Sequence, residues 1–444
     1  MCHTLGANQF KFKSFYMHSS INNIRAIIKH YFIPSNENMF SRRFDLDWLR
    51  VGVFGLLIFY HIGMLYVLNW EFHFKSQYQW QGLEMLMLLV SPWRMAILWF
   101  ISGVAIRFLL VKVSIEKFIF LRSIRLLLPL LFGILVIVPP QLYVEMTQKS
   151  GLDLSYWEFL LEFFSANSSI FTSYQAGIWP HIDVNHLWYL RSLWQFSLIL
   201  ICLLPLLNAN KTEQFIDWVN RSPAPLALIV YCLPVFLLHV FWDAETRRYP
   251  LGFLFMIYGY LNACSPSFWQ QLRKHLPNLL KITPLVLALF VCFYQFMWLP
   301  YGETAHPMLQ LAGLLTYSVS RVLGVFTLLA LAYTYLNKNS PKLSYWSQGV
   351  YAFYILHQSI IIVLGFVLSQ IDLGRFGFII EPVLVTAGTI SGCMLCYETI
   401  RRSSLLRPLF GMKQAKSYPQ LVRTFGYTIA FIIILPLILT LASF

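Results

Sequence analysis

The feature that most constrains this chain is a succession of apolar runs, each about as long as a bilayer is thick. A spanning α-helix needs about 20 predominantly apolar residues, and in hydrocarbon its backbone groups must be satisfied within the segment. Reading for such runs gives eleven, at 48–70, 94–111, 126–145, 187–207, 224–242, 249–264, 282–300, 308–336, 349–369, 380–400 and 421–443. The sixth is short and holds Gly252 and Gly259, so a count of ten stands beside eleven. The expected fold class is therefore an all-α polytopic membrane protein with ten or eleven transmembrane helices. Composition agrees, because only 12% of residues are charged where a soluble domain carries about a quarter.

The net charge of +14 would point to nucleic acid in a soluble protein. Here the basic residues lie between the apolar runs, so the partner they imply is the lipid bilayer and no nucleic acid is expected. The even-numbered connections hold 17 Lys and Arg and the odd-numbered ones 5, with six more in the N-terminal tail. The positive-inside rule then puts the N-terminus in the cytoplasm and the C-terminus outside. Three regions follow: a cytoplasmic tail over 1–43, a membrane domain over 44–400, and a basic loop with a final helix over 401–444. In the tail, "INNIRAIIKHYF" (21–32) reads either as a basic amphipathic helix on the inner surface or as an extension upstream of a start at Met39. The longest outer connection, about 146–186, is aromatic and mildly acidic, and an outer loop of that length usually has a task. Cys393 and Cys396 form a C-x-x-C inside an apolar run with no second pair. They read as packing residues, and no metal is expected.

Several polar groups interrupt the apolar runs. Arg50 and His61 lie eleven residues apart on the first run, which at 100° per residue is about 20° past three full turns, so they share a face. The rise between them is about 16 Å, which puts Arg50 at the cytoplasmic rim and His61 near the midplane. An arginine alone there is an ordinary snorkelling residue, and a lone histidine an ordinary packing group. On one face they suggest a polar shaft open to the cytoplasm. "FLRSIRLLLP" sets Arg122 and Arg125 three residues apart on the cytoplasmic side, either as plain membrane anchors or as a cradle for phosphates. His357 lies within the ninth run and Arg321 within the eighth. "VNHLWYLRSLWQF" opens the fourth run from outside with His186, Trp188 and Arg191. Aromatic residues are expected at an interface, and beside arginine they also suit a sugar.

These stretches resemble the integral-membrane acyltransferase-3 family, which transfers acyl groups to carbohydrates of the bacterial envelope. "LDWLRVGVFGLLIFYH" carries the family's Arg-x10-His as Arg50 and His61, and "LRSIRLLLP" its Arg-x-x-Arg as Arg122 and Arg125. "LWFISGVAIRFLL" and "SYWSQGVYAFYILHQSIIIVLGF" complete the pattern over about 46–368. Where many members read "SLSVEEQFY", this chain has "HLWYLRSLWQF", so no acidic pair is carried over. That wording looks more like the glucan biosynthesis protein C branch, succinyltransferases of periplasmic glucans. The resemblance implies an enzyme of the bacterial inner membrane, with acyl-CoA as co-substrate, no tightly bound cofactor, and an envelope glycan as acceptor. It implies that Arg50, Arg122 and Arg125 hold the nucleotide end of the donor. His61 then accepts the acceptor hydroxyl's proton, or first takes the acetyl or succinyl group itself. His186, Trp188, Arg191, Arg321 and His357 are the weaker candidates for the acceptor side. A transporter or flippase of a lipid-linked glycan or acyl donor is the alternative, against which stands the lack of any visible internal repeat.

Overall fold

The runs close into helices for reasons visible at their ends. In the computed structural model, which describes residues 42–165, 168–171 and 183–413 and single positions at 420, 424, 428 and 435, the first helix, α1, spans Phe44–Tyr66. It starts four residues before the apolar run because Asp45 and Asp47 occupy its first turn, where carboxylates complement the helix dipole. Arg43 pairs with the buried Asp45 at 2.6 Å and lays its guanidinium over the Trp269 ring at 3.9 Å.

The helices that follow are α2 (Arg94–Lys112), α3 (Ile115–Phe132), α4 (Pro139–Ser150), α5 (Tyr156–Phe164), α6 (Trp188–Leu207), α7 (Asn210–Arg221), α8 (Ala224–Phe241), α9 (Arg248–Asn262), α10 (Pro266–Phe293), α11 (Pro307–Leu331), α12 (Pro341–Ser369) and α13 (Gly377–Arg402). Proline opens α10, α11 and α12, at the one turn where its missing N–H costs nothing. Ser114 caps α3 by accepting from the Lys117 N–H, and Ser155 with Glu158 forms a capping box on α5. A wide π-turn at Gly133–Ile137 joins α3 to α4, giving one helical rod over Ile115–Ser150. Gly133 sits on that turn because a Cβ there would come 2.3 Å from Leu187 Cδ1.

Among the described residues, nine helical segments are long and apolar enough to cross a membrane, so the chain is a polytopic helical membrane protein. They correspond to the expected runs one to five and seven to ten. The sixth is α9, helical but only 15 residues long. The eleventh, 421–443, and the tail segment 21–32 lie outside the described residues. Gly252 and Gly259, which weaken the sixth run as a span, are what builds α9 into the core. A Cβ on Gly259 would sit 1.9 Å from the Phe100 carbonyl oxygen, and one on Gly103 would sit 1.9 Å from that of Met256. The backbones of α2 and α9 touch along this seam, as small residues permit between membrane helices.

The connection 67–93 folds back over the end of α1 and satisfies the carbonyls a helix terminus leaves open. Ser76 N donates to Leu65 O at 3.0 Å and Trp80 N to Tyr66 O at 2.7 Å. The Lys75 ammonium donates to Met64 O at 2.9 Å and also to Val67 O. Burial against this terminus pushes the Lys75 amine down to about 8.

Candidate active site

Arg50 and His61 share a face of α1, and His61 sits nearer the end of the helix than a run over 48–70 would put it. Because α1 ends at Tyr66, His61 lies about 8 Å from that end rather than at the middle. It belongs to the half of the protein opposite the Lys- and Arg-rich connections, here called the far end. Arg50 belongs to the basic end.

The partner of His61 is His357 of α12, with His61 Nδ1 and His357 Nε2 2.7 Å apart. The rings are inclined by only 10°, with centroids 4.9 Å apart. A centroid separation that large at so short a nitrogen distance means that the rings meet edge to edge. His357 Nδ1 lies 2.8 Å from the Tyr354 carbonyl oxygen and 3.0 Å from that of Phe353. A carbonyl only accepts, so Nδ1 of His357 carries a proton and its Nε2, in the neutral ring, a lone pair. His61 Nδ1 must then be the donor between the rings. That leaves His61 Nε2 as the unprotonated nitrogen, the tautomer being set by the hydrogen bond on the other side of the ring. Nε2 has no hydrogen-bond partner among the described residues, and His61 lines the main cavity of the far end, about 320 Å³ in volume.

Three arginines line the same cavity: Arg94 at the start of α2, Arg248 at the start of α9, and Arg321 within α11. Arg94 lies 3.6 Å over the Tyr60 ring and Arg321 4.7 Å over Tyr317. The Nε of each is buried without a hydrogen-bond partner among the described residues. Arg248 stacks on Trp188 at 5.1 Å and donates to the Tyr249 hydroxyl at 3.1 Å. No Asp or Glu is among the residues lining the cavity. Positive charge placed this way, without a carboxylate among the described lining residues, suits an anion or the developing negative charge of a transition state.

A second, smaller pocket of about 80 Å³ lies toward the basic end and is lined by Arg50, Arg122 and Tyr351 among others. Arg50 donates to Ser347 Oγ at 2.5 Å and reaches Asp47 at 3.3 Å. Arg122 keeps a buried Nε without a partner among the described residues. Arg125, though one turn away, is exposed and outside the pocket lining. Tyr189 and Tyr354 line both spaces, their rings edge-on with centroids 6.0 Å apart. Tyr354 donates to the His186 carbonyl at 2.5 Å, and the Tyr189 and Ser102 hydroxyls lie 2.8 Å apart. The expected shaft is thus two chambers with a tyrosine partition between them.

The remaining candidates divide. Trp188 lines the far cavity. His186 lines it too, but both its nitrogens are engaged: Nε2 with Ile355 O at 3.0 Å and Nδ1 with the Gln141 amide at 3.2 Å. Its ring holds α6 to α12. Arg191 donates to Tyr249 at 3.1 Å and lies outside the lining. Sequence reasoning passed over Arg94 and Arg248, which sit at helix starts where a basic residue is unremarkable. The missing carboxylate partner, visible only in three dimensions, is the signal that separates them from anchors.

A family model described as an acyltransferase domain matches residues 43–398, which includes every candidate named above. No curated protein matches significantly, and no solved structure does.

Proposed function

The chain belongs to the acyltransferase-3 family of acyltransferase enzymes, and on that premise we propose that it moves an acyl group from acyl-CoA on the cytoplasmic side to a hydroxyl of an envelope or periplasmic polysaccharide. The single observation that carries the reading is the hydrogen-bonded line from the Tyr354 carbonyl through His357 to His61, which leaves a basic nitrogen open to a cavity. In the proposed step, His61 Nε2 accepts the acceptor's hydroxyl proton as the oxygen attacks the thioester carbonyl. The carbon–sulfur bond breaks, and the departing thiolate takes the proton from His61. His357 donates nothing to this exchange. It holds the imidazole in the tautomer and orientation a general base requires.

Coenzyme A carries phosphates that cannot enter hydrocarbon, whereas its pantetheine arm is thin. Arg50 and Arg122 in the basic-end pocket suit the phosphates. The arm then reaches His61 only when Tyr189 and Tyr354 part, so the partition gates the donor. The cluster of Arg94, Arg248 and Arg321 favours an acyl group that carries its own carboxylate, such as succinyl, over acetyl. A dicarboxylic acyl group fits the glucan biosynthesis protein C branch, and membership of that branch would put the protein in the bacterial inner membrane. Family membership favours the enzyme over the transport reading.

The test is transfer of label from radiolabelled acetyl-CoA or succinyl-CoA to glycan in membranes bearing the protein. His61→Ala is expected to abolish transfer while the protein remains folded by size-exclusion profile. Unchanged transfer in that variant would remove His61 from the mechanism.

A further inference from the structure

Beside the His61 cavity lies a second far-end cleft of about 270 Å³, and the two share Ser91 and Tyr317 as walls. Two helix faces form it. Phe290, Phe293, Tyr294, Met297 and Trp298 fall at i, i+3, i+4, i+7 and i+8, one stripe of α10 and the π-turn at Tyr294–Trp298 that extends it. Opposite them, Gln310, Gly313, Leu314 and Tyr317 repeat the spacing on α11.

We infer that this cleft seats the saccharide of the acceptor and presents its hydroxyl to the neighbouring His61 cavity. The inference rests on the acyltransfer to carbohydrate proposed above and adds where the carbohydrate binds. Interfacial aromatic residues ordinarily form a belt facing lipid, but Tyr294, with Trp70 beside it in the cleft lining, is fixed by a polar network around one buried carboxylate. Tyr294 Oη accepts from Trp70 Nε1 at 2.9 Å and donates to Glu84 at 2.8 Å. Glu84, 2% exposed, also accepts from Asn69 at 2.7 Å. Phe290 stacks on Tyr317 at 4.7 Å and 8°. A carboxylate sequestered to fix two aromatic rings is more than a lipid-facing wall needs. Within this frame Trp298 is 43% exposed, and its indole N–H has no partner among the described residues. It offers a flat apolar face and a hydrogen-bond donor together, the pairing that recognises a sugar ring. The cleft abuts the His61 cavity across the Ser91 and Tyr317 wall, which puts a saccharide held there next to the base, whereas a lipid chain in the same place would occupy the acceptor's approach.

The experiment is saturation-transfer NMR on the detergent-solubilised full chain with short neutral oligosaccharides of glucose, galactose and N-acetylhexosamine. Wild type and His61→Ala are expected to bind alike. Trp298→Leu should weaken binding about five- to tenfold, the worth of one aromatic platform, and Trp298→Tyr should restore most of it. No binding by wild type to any of them, or unchanged affinity in Trp298→Leu, overturns the assignment. Loss of co-purified phospholipid in Trp298→Leu with saccharide affinity unchanged overturns it in favour of lipid. Label transfer in membranes is read separately, so a failed cleft and a failed acyltransferase reading give different results.

Discussion

Replacing His357 by leucine removes the acceptor for His61 Nδ1 while roughly keeping the side-chain volume. His357 is 0% exposed and lies deep between α1 and α12, so no water takes over its role. The 2.7 Å contact is then lost, and a buried N–H is left unpaired at a cost of about 1–3 kcal/mol. His61 avoids that cost by turning away or by moving its proton to Nε2, and either move removes the base from the cavity. At 1.36 kcal/mol per decade, the competent fraction falls about 5- to 150-fold. The loss belongs in kcat, with KM for the donor unchanged, because Arg50 and Arg122 lie in the other chamber. His357→Gln keeps an acceptor oxygen and should recover to within about tenfold of wild type. The assay is initial-rate label transfer from acyl-CoA to glycan with purified, size-exclusion-checked variants. A wild-type rate in His357→Leu would refute the positioning argument. Complete inactivity of both folded variants, equal to that of His61→Ala, would refute it from the other side by making His357 itself a reacting group.

Two other outcomes follow from the fold. Gly103→Ala places a methyl about where the Met256 carbonyl oxygen already lies, so the α2–α9 seam must separate. A destabilisation of about 3 kcal/mol or more is expected, read as lost monodisperse protein and a lowered Tm, and an unchanged melting curve would contradict the seam. Lys75 has its amine at about 8 because burial disfavours the ammonium. Its folded value lies below the unfolded one, so the folding penalty is full below pH 8 and is relieved as pH rises from there toward the unfolded pKa. Pulse labelling with an amine-reactive reagent should therefore show half-maximal reactivity of Lys75 near pH 8, and a midpoint near the ordinary lysine value would contradict its burial.

How far the sequence reveals all this depends on the range of each interaction. Arg50 and His61 are readable because helical periodicity alone places them on one face, whereas the end of α1 at Tyr66 depends on the connection that folds back over it. His357 is visible as a polar group in an apolar helix, but its pairing with His61 bridges 296 positions and no local pattern encodes that. His186 and Arg191 look like binding groups until their partners are seen. The stripe from Phe290 to Trp298 is legible as a helical face, yet what that face meets depends on where α11 packs. Gly252 and Gly259 invert their meaning altogether, since residues that weaken an isolated helix are the ones close packing demands, Gly259 against the Phe100 backbone and Gly252 against the Trp99 indole.

The tyrosine partition has one more consequence, an electrical one. Under the function proposed above, an enzyme that takes a group from a donor on one side to an acceptor on the other faces the difficulty of any conduit across an energised bilayer. Each elementary charge that slips through dissipates about 2.3 kcal/mol per 100 mV. If the spaces on either side of Tyr189 and Tyr354 each open to their own compartment, the field would concentrate across that thin layer. Two phenol rings would then serve as insulation, admitting a thioester arm while staying closed to protons and ions.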